Sequence, residues 1–102
     1  MRPDERRQEI RKATRIHVEL VAGGHHFQGF SKNISGSGVL MTVESGFPPD
    51  TISGQHGTVW LDFDDMIIDF SCIVVRVRGV DIAVMFNDGD VDKVIAVKKR
   101  LA

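Results

Sequence analysis

From Ile16 onward the chain alternates apolar and polar residues in short runs, and glycine, proline and acidic residues punctuate them. Ile16, Val18 and Leu20 alternate with His17 and Glu19, the period-two pattern of a half-buried strand, and Gly23-Gly24 closes that strand with a turn. Phe27–Ile34 reads as a second strand, Ser35-Gly36-Ser37-Gly38 as a turn, and Val39–Val43 as a third strand. Pro48 and Pro49 forbid regular pairing through Glu44–Gly57, so that segment is expected to be the longest loop. Thr58–Phe63 is a fourth strand, and a long fifth follows over about 66–78. In the fifth, Ile68, Phe70, Cys72 and Val74 share one parity while Val75 and Val77 take the other, so a bulge or strong coil is expected near Ile73–Val75. Arg78-Gly79 turns the chain into Val80–Phe86, and Asp88 or Asp90 can cap a helix over 91–101, where Val91, Val94, Ile95 and Leu101 have helical spacing. Six short strands without a crossover helix predict a mainly all-β fold, an antiparallel barrel with a short C-terminal α-helix.

Residues 1–15 break the pattern, with Ile10 and Ala13 as their only apolar positions after Met1. They are expected to form a flexible arginine-rich arm ahead of a single barrel domain over 16–102, since 102 residues leave no second core to fill. The formal net charge of −1 hides an uneven distribution: residues 1–15 carry +3, 16–43 are neutral, 44–92 carry −8 and 93–102 carry +4. A barrel body this acidic argues against a small RNA-binding barrel, which needs a basic sheet and exposed aromatics. No apolar run is long enough to cross a membrane and the N-terminus lacks a secretory apolar stretch, so a cytoplasmic location without membrane insertion is expected. The lone Cys72 offers no disulfide or C-x-x-C pair.

Two local patterns carry chemistry. Arg7-Gln8-Glu9-Ile10-Arg11, preceded by Arg6, places two guanidinium forks four residues apart, and such forks match phosphate oxygens and the O6/N7 edge of guanine. Asn33-Ile34-Ser35-Gly36-Ser37-Gly38 sets Asn and Ser at alternate positions of an extended chain, where both can hydrogen-bond a base edge or phosphate. Gly38 can take a positive φ and lets a ligand approach the backbone. Taken singly, the first is also what a solvated tail contains and the second what an ordinary hairpin turn contains.

Together, D-E-R-R-Q-x-x-R at 4–11 and N-x-S-x-x-G at 33–38, followed by short strands ending in I-A-V-M-F at 82–86 and a terminal helix, make the chain resemble the PilZ domain family over essentially its whole length. The resemblance implies a six-stranded antiparallel barrel that binds the bacterial second messenger cyclic di-GMP. It implies that Arg7 and Arg11 grip guanine edges and phosphates with Arg6 assisting, that Asn33 and Ser35 contact a guanine, and that Gly38 keeps the turn open. Glu9 and Ile10 stand where many relatives have an aromatic residue and a proline, and Asn33 stands where Asp is commoner, which loses a charge-assisted bond to a guanine N–H. Arg11 and Arg15 fit the same spacing as an alternative pair.

The expected activity is that of a non-enzymatic receptor, with no cofactor beyond the ligand and no nucleic acid polymer, relaying its signal to a downstream protein partner. The alternative is a nucleotide-independent adaptor barrel for protein interaction. His25-His26 read as an exposed hairpin tip, Asp62, Asp64 and Asp65 as an acidic turn, and Cys72 as a small buried hydrophobe. Trp60 is open between core and exposed anchor, and Arg76 and Arg78 could add positive charge to the nucleotide site.

Overall fold

The computed structural model describes residues 15–87 and 89–101. Within them, six strands close an antiparallel barrel: β1 (His17–Ala22), β2 (His25–Ile34), β3 (Gly38–Val43), β4 (His56–Asp62), β5 (Ile67–Arg78) and β6 (Asp81–Phe86), in the spatial order β1-β2-β3-β6-β5-β4. The helix α1 (Val91–Leu101) follows β6. The expected arm, residues 1–15, lies outside the described residues except for Arg15.

Alternation decides what faces the core. Val18 and Leu20 of β1, Val39 and Met41 of β3, Val59 and Leu61 of β4, Phe70, Cys72 and Val74 of β5, and Ile82 and Val84 of β6 are all buried. Burial pushes the Cys72 thiol up to about 11, so it stays protonated and inert as a small core hydrophobe. Trp60 takes the outward parity, level with Glu19 on β1 and Asp69 on β5, and is half-buried there, so it is not part of the core.

The strand directions bring the β2–β3 turn, the β4–β5 turn and the end of β6 to one end of the barrel, and α1 lies there. Val97 and Leu101 of α1 join the core, Arg100 pairs with Asp65 at 2.8 Å, and Lys93 pairs with Asp69 at 3.6 Å. The Asp90 carboxylate accepts from the backbone N–H groups of Asp92 (3.0 Å) and Lys93 (3.3 Å), so Asp90 is the cap. Asp88 lies outside the described residues. At the other end the segment expected to be wholly loop contains a 3₁₀ turn at Asp50–Ile52, which drops Ile52 into the core, and it ends two residues early, at His56.

Two β-bulges interrupt the ladder. The register of β5 on β6 shifts between Val74 and Arg76, where the parity change places it. A second shift, between Ser31 and Asn33 where β2 pairs with β3, leaves no mark in the apolar periodicity of the chain.

Candidate functional site

The bulge on β2 creates the site. Phe27, Gly29 and Ser31 face inward, and without an extra residue Asn33 would follow them into the core. The bulge at Lys32 resets the parity, so Ile34 enters the core and Asn33 turns outward. Lys32 is held in place across two strands: its ammonium donates to the Asp81 carboxylate at 3.0 Å, and the Thr42 hydroxyl donates to the other oxygen at 2.9 Å. The Lys32 bond, with help from Thr42, holds the Asp81 carboxyl below the usual carboxylate range.

Asn33, Ser35, Gly38, Leu40 and Ala83 line a surface hollow of about 240 Å³. The structure thus brings Asn33, Ser35 and Gly38 together, while Arg6, Arg7 and Arg11 lie outside the described residues. Among the described residues, Asn33 Oδ1 is the one buried side-chain oxygen or nitrogen without a hydrogen-bond partner. An orphaned buried acceptor costs about 1–3 kcal/mol, so it marks a position kept for something other than stability. Asn33→Val is accordingly expected to stabilise the fold by about 1 kcal/mol. Equilibrium denaturation checks this, and a loss of stability would show that the amide is structurally satisfied.

Ser35 shapes the turn beside it. Its backbone N–H donates to the Gly38 carbonyl at 3.0 Å, its hydroxyl accepts from the Ser37 N–H at 3.2 Å, and the two hydroxyls lie 3.0 Å apart. Gly38 differs from expectation. Its φ is not positive, and it is glycine because β6 lies against it: a Cβ there would stand 2.4 Å from the Val84 carbonyl oxygen. The tip of the turn at Gly36 rests on α1, where a Cβ would meet Lys98 and Val94. The guanidinium of Arg15 lies 4.2 Å over the Phe30 ring, on the strand that leads to Asn33.

Other candidates take structural places. Gly23 and Gly24, at φ of 56° and 79°, make the tight turn that leaves His25 and His26 exposed. In the β4–β5 turn the Asp62 carboxylate accepts from the Asp64 N–H at 2.9 Å, and Asp65 pairs with Arg100. Among the described residues no group of His, Cys, Asp or Glu is placed to hold a metal ion, and no helix is long and apolar enough to cross a membrane.

The PilZ domain family model matches residues 5–101. Among solved structures, the PilZ domain of CeSA from a cellulose-synthesizing bacterium superposes with a TM-score of 0.71 at 14% identity, covering 89% of this chain and 93% of that one. An uncharacterized protein of Legionella superposes with a TM-score of 0.58 at 15% identity, covering 90% of this chain and 89% of that one. A comparison with curated proteins finds no match.

Proposed function

The chain belongs to the PilZ domain family, and from that membership we propose that it is a cyclic di-GMP receptor, bacterial and cytoplasmic, that works by binding rather than catalysis. The observation that carries the reading is the orphaned Asn33 Oδ1 beside the hollow that Ser35 and Gly38 share. Guanine carries an exocyclic N–H₂ donor, and a neutral acceptor stripped of water is a suitable partner for it. Ser35 offers a hydroxyl at the same edge, and Gly38 keeps that wall free of a side chain. Arg7 and Arg11, with Arg6 assisting, bring the forks that match the phosphates and the remaining guanine edges. Arg15 already stands on Phe30, which favours Arg7 and Arg11 as the functional pair. The nucleotide then joins the N-terminal arginines to the barrel, and the altered surface is what a downstream protein reads.

Calorimetric titration with cyclic di-GMP, GMP and cyclic di-AMP tests this. Saturable heat in the micromolar range is expected for cyclic di-GMP and much weaker binding for the other two. A flat trace for all three, or equal affinity for the guanine and adenine dinucleotides, would remove the reading and leave a nucleotide-independent adaptor. Asn33→Val is expected to weaken this binding, so its stability and its affinity move in opposite directions.

A further inference from the structure

The two β-bulges stand at the two ends of one line of residues. Across the outer face of the barrel, Asn33 on β2 pairs with Leu40 on β3, Leu40 with Ala83 on β6, and Ala83 with Arg76 on β5. Asn33 comes directly after the bulge in β2, and Arg76 directly after the bulge in β5. Each is a polar residue that unbroken alternation would send into the core, Asn33 after Phe27, Gly29 and Ser31, and Arg76 after Ile68, Phe70, Cys72 and Val74. Each bulge turns its residue outward onto the same row. Bulges concentrate beside binding and catalytic sites because they re-aim a side chain without breaking the sheet, and two of them serving one row point to a shared occupant.

Between these polar ends the row is apolar. Leu40 and Ala83 form its floor, both also lining the hollow at Asn33, and Met85 and Val75 are exposed beside it. Three strand spacings separate the ends, roughly 14 Å, which leaves room for a ligand wider than one base. The neighbouring cation is already engaged, since Lys32 is bonded to Asp81. The Arg76 side chain is exposed and, among the described residues, has no hydrogen-bond or ion-pair partner.

We propose that Arg76 is a specificity residue of the nucleotide site, reading the O6/N7 edge of the second guanine while that base lies on Leu40 and Ala83. This rests on the cyclic di-GMP reading above. The ligand carries two guanines, and Asn33 with Ser35 accounts for one of them. A flat apolar floor suits the face of a base, and a planar fork at its edge suits guanine, whose O6 and N7 both accept, whereas adenine keeps N7 and puts an amino donor in place of O6. A phosphate would instead need only charge at this position.

The test is calorimetric titration of the full chain and its Arg76→Ala and Arg76→Lys variants with cyclic di-GMP and cyclic di-AMP. Arg76→Ala is expected to weaken cyclic di-GMP binding roughly ten- to hundredfold and to shrink the preference over cyclic di-AMP by a similar factor. Arg76→Lys is expected to behave like the alanine variant, since an ammonium keeps the charge and loses the fork. Melting temperatures should stay together, because the side chain is exposed and has no partner among the described residues. Wild-type affinity in Arg76→Ala would overturn the assignment and leave the receptor reading standing. Wild-type affinity in Arg76→Lys would overturn the guanine contact in favour of charge alone. Absence of binding by the wild-type chain would overturn the receptor reading, and this assignment with it.

Discussion

Replacing Arg7 or Arg11 by alanine is expected to abolish most of the cyclic di-GMP binding and to leave thermal stability where it was. Each arginine supplies two parallel N–H donors to an ionised or strongly polar acceptor, a contact worth about 1–3 kcal/mol and so roughly ten- to hundredfold in affinity. The loss falls on binding because the first fifteen residues hold only Ile10 and Ala13 as apolar positions after Met1, and among the described residues the buried core begins at Val18. Arg15 is the internal control. Its guanidinium lies over Phe30, so Arg15→Ala is expected to cost a little stability, about 0.5–1 kcal/mol, and to spare most of the affinity. Calorimetric titration of the three variants beside their thermal melts decides between the two arginine registers. If Arg15→Ala loses the signal and Arg7→Ala keeps it, the pair is Arg11 and Arg15.

Most of the barrel was legible because its strands are buried on one face only. In β1, β3, β4 and β6 the inward residues are aliphatic and alternate strictly, so period two marks both the strand and its register. The bulge in β5 was legible for the same reason: four apolar residues on one parity give way to valine on the other. In β2 the signal fails. Two of its inward positions are Gly29 and Ser31, while one of its two phenylalanines, Phe30, faces outward under Arg15 and beside His17. Ser31 can enter the core because its hydroxyl accepts from the Ile16 N–H at 2.9 Å, a contact between β2 and the residue just before β1, fifteen positions earlier. Gly29 must be glycine because a Cβ would stand 1.9 Å from the Thr42 carbonyl oxygen. Neither requirement leaves a periodic trace, and neither does the bulge that turns Asn33 out of the core.

The site was legible in its residue types and not in its geometry. Asn33 and Ser35 stand out because two hydrogen-bonding side chains at alternate positions share a side of an extended chain. Which side that is depends on the β2 bulge, and the link from Asn33 across Leu40 and Ala83 to Arg76 depends on three strand registers. Arg76 could be suspected from its charge; only the pairing of β3, β5 and β6 sets it level with a residue 43 positions earlier in the chain.

Gly38→Ala and Gly36→Ala, two positions apart in one turn, are expected to have opposite outcomes. The sequence suggests turn freedom at Gly38, and if freedom alone mattered in this turn both substitutions would be costly for the same reason. Neither residue has a positive φ, so the difference lies in what a methyl group would strike. At Gly38 it would meet the Val84 carbonyl oxygen at 2.4 Å and the Met85 Cα at 3.4 Å, which are backbone atoms of β6 fixed by the β3–β6 ladder. Relief requires the strands to part, at a cost of about 2–3 kcal/mol. Parting them also opens the wall between Leu40 and Ala83, so affinity for cyclic di-GMP falls with stability. At Gly36 the first atom met is Lys98 Cε at 2.8 Å, near the end of an exposed, flexible side chain that can swing aside, and the next is Val94 Cγ1 at 3.4 Å, an ordinary contact. Gly36→Ala should therefore stay within about 0.5 kcal/mol of wild type, and it should keep its ligand. Denaturant unfolding and calorimetric titration of both variants measure the contrast. Equal losses at the two positions would return the turn to a device of backbone freedom and refute the close approach of β6 as the reason for Gly38.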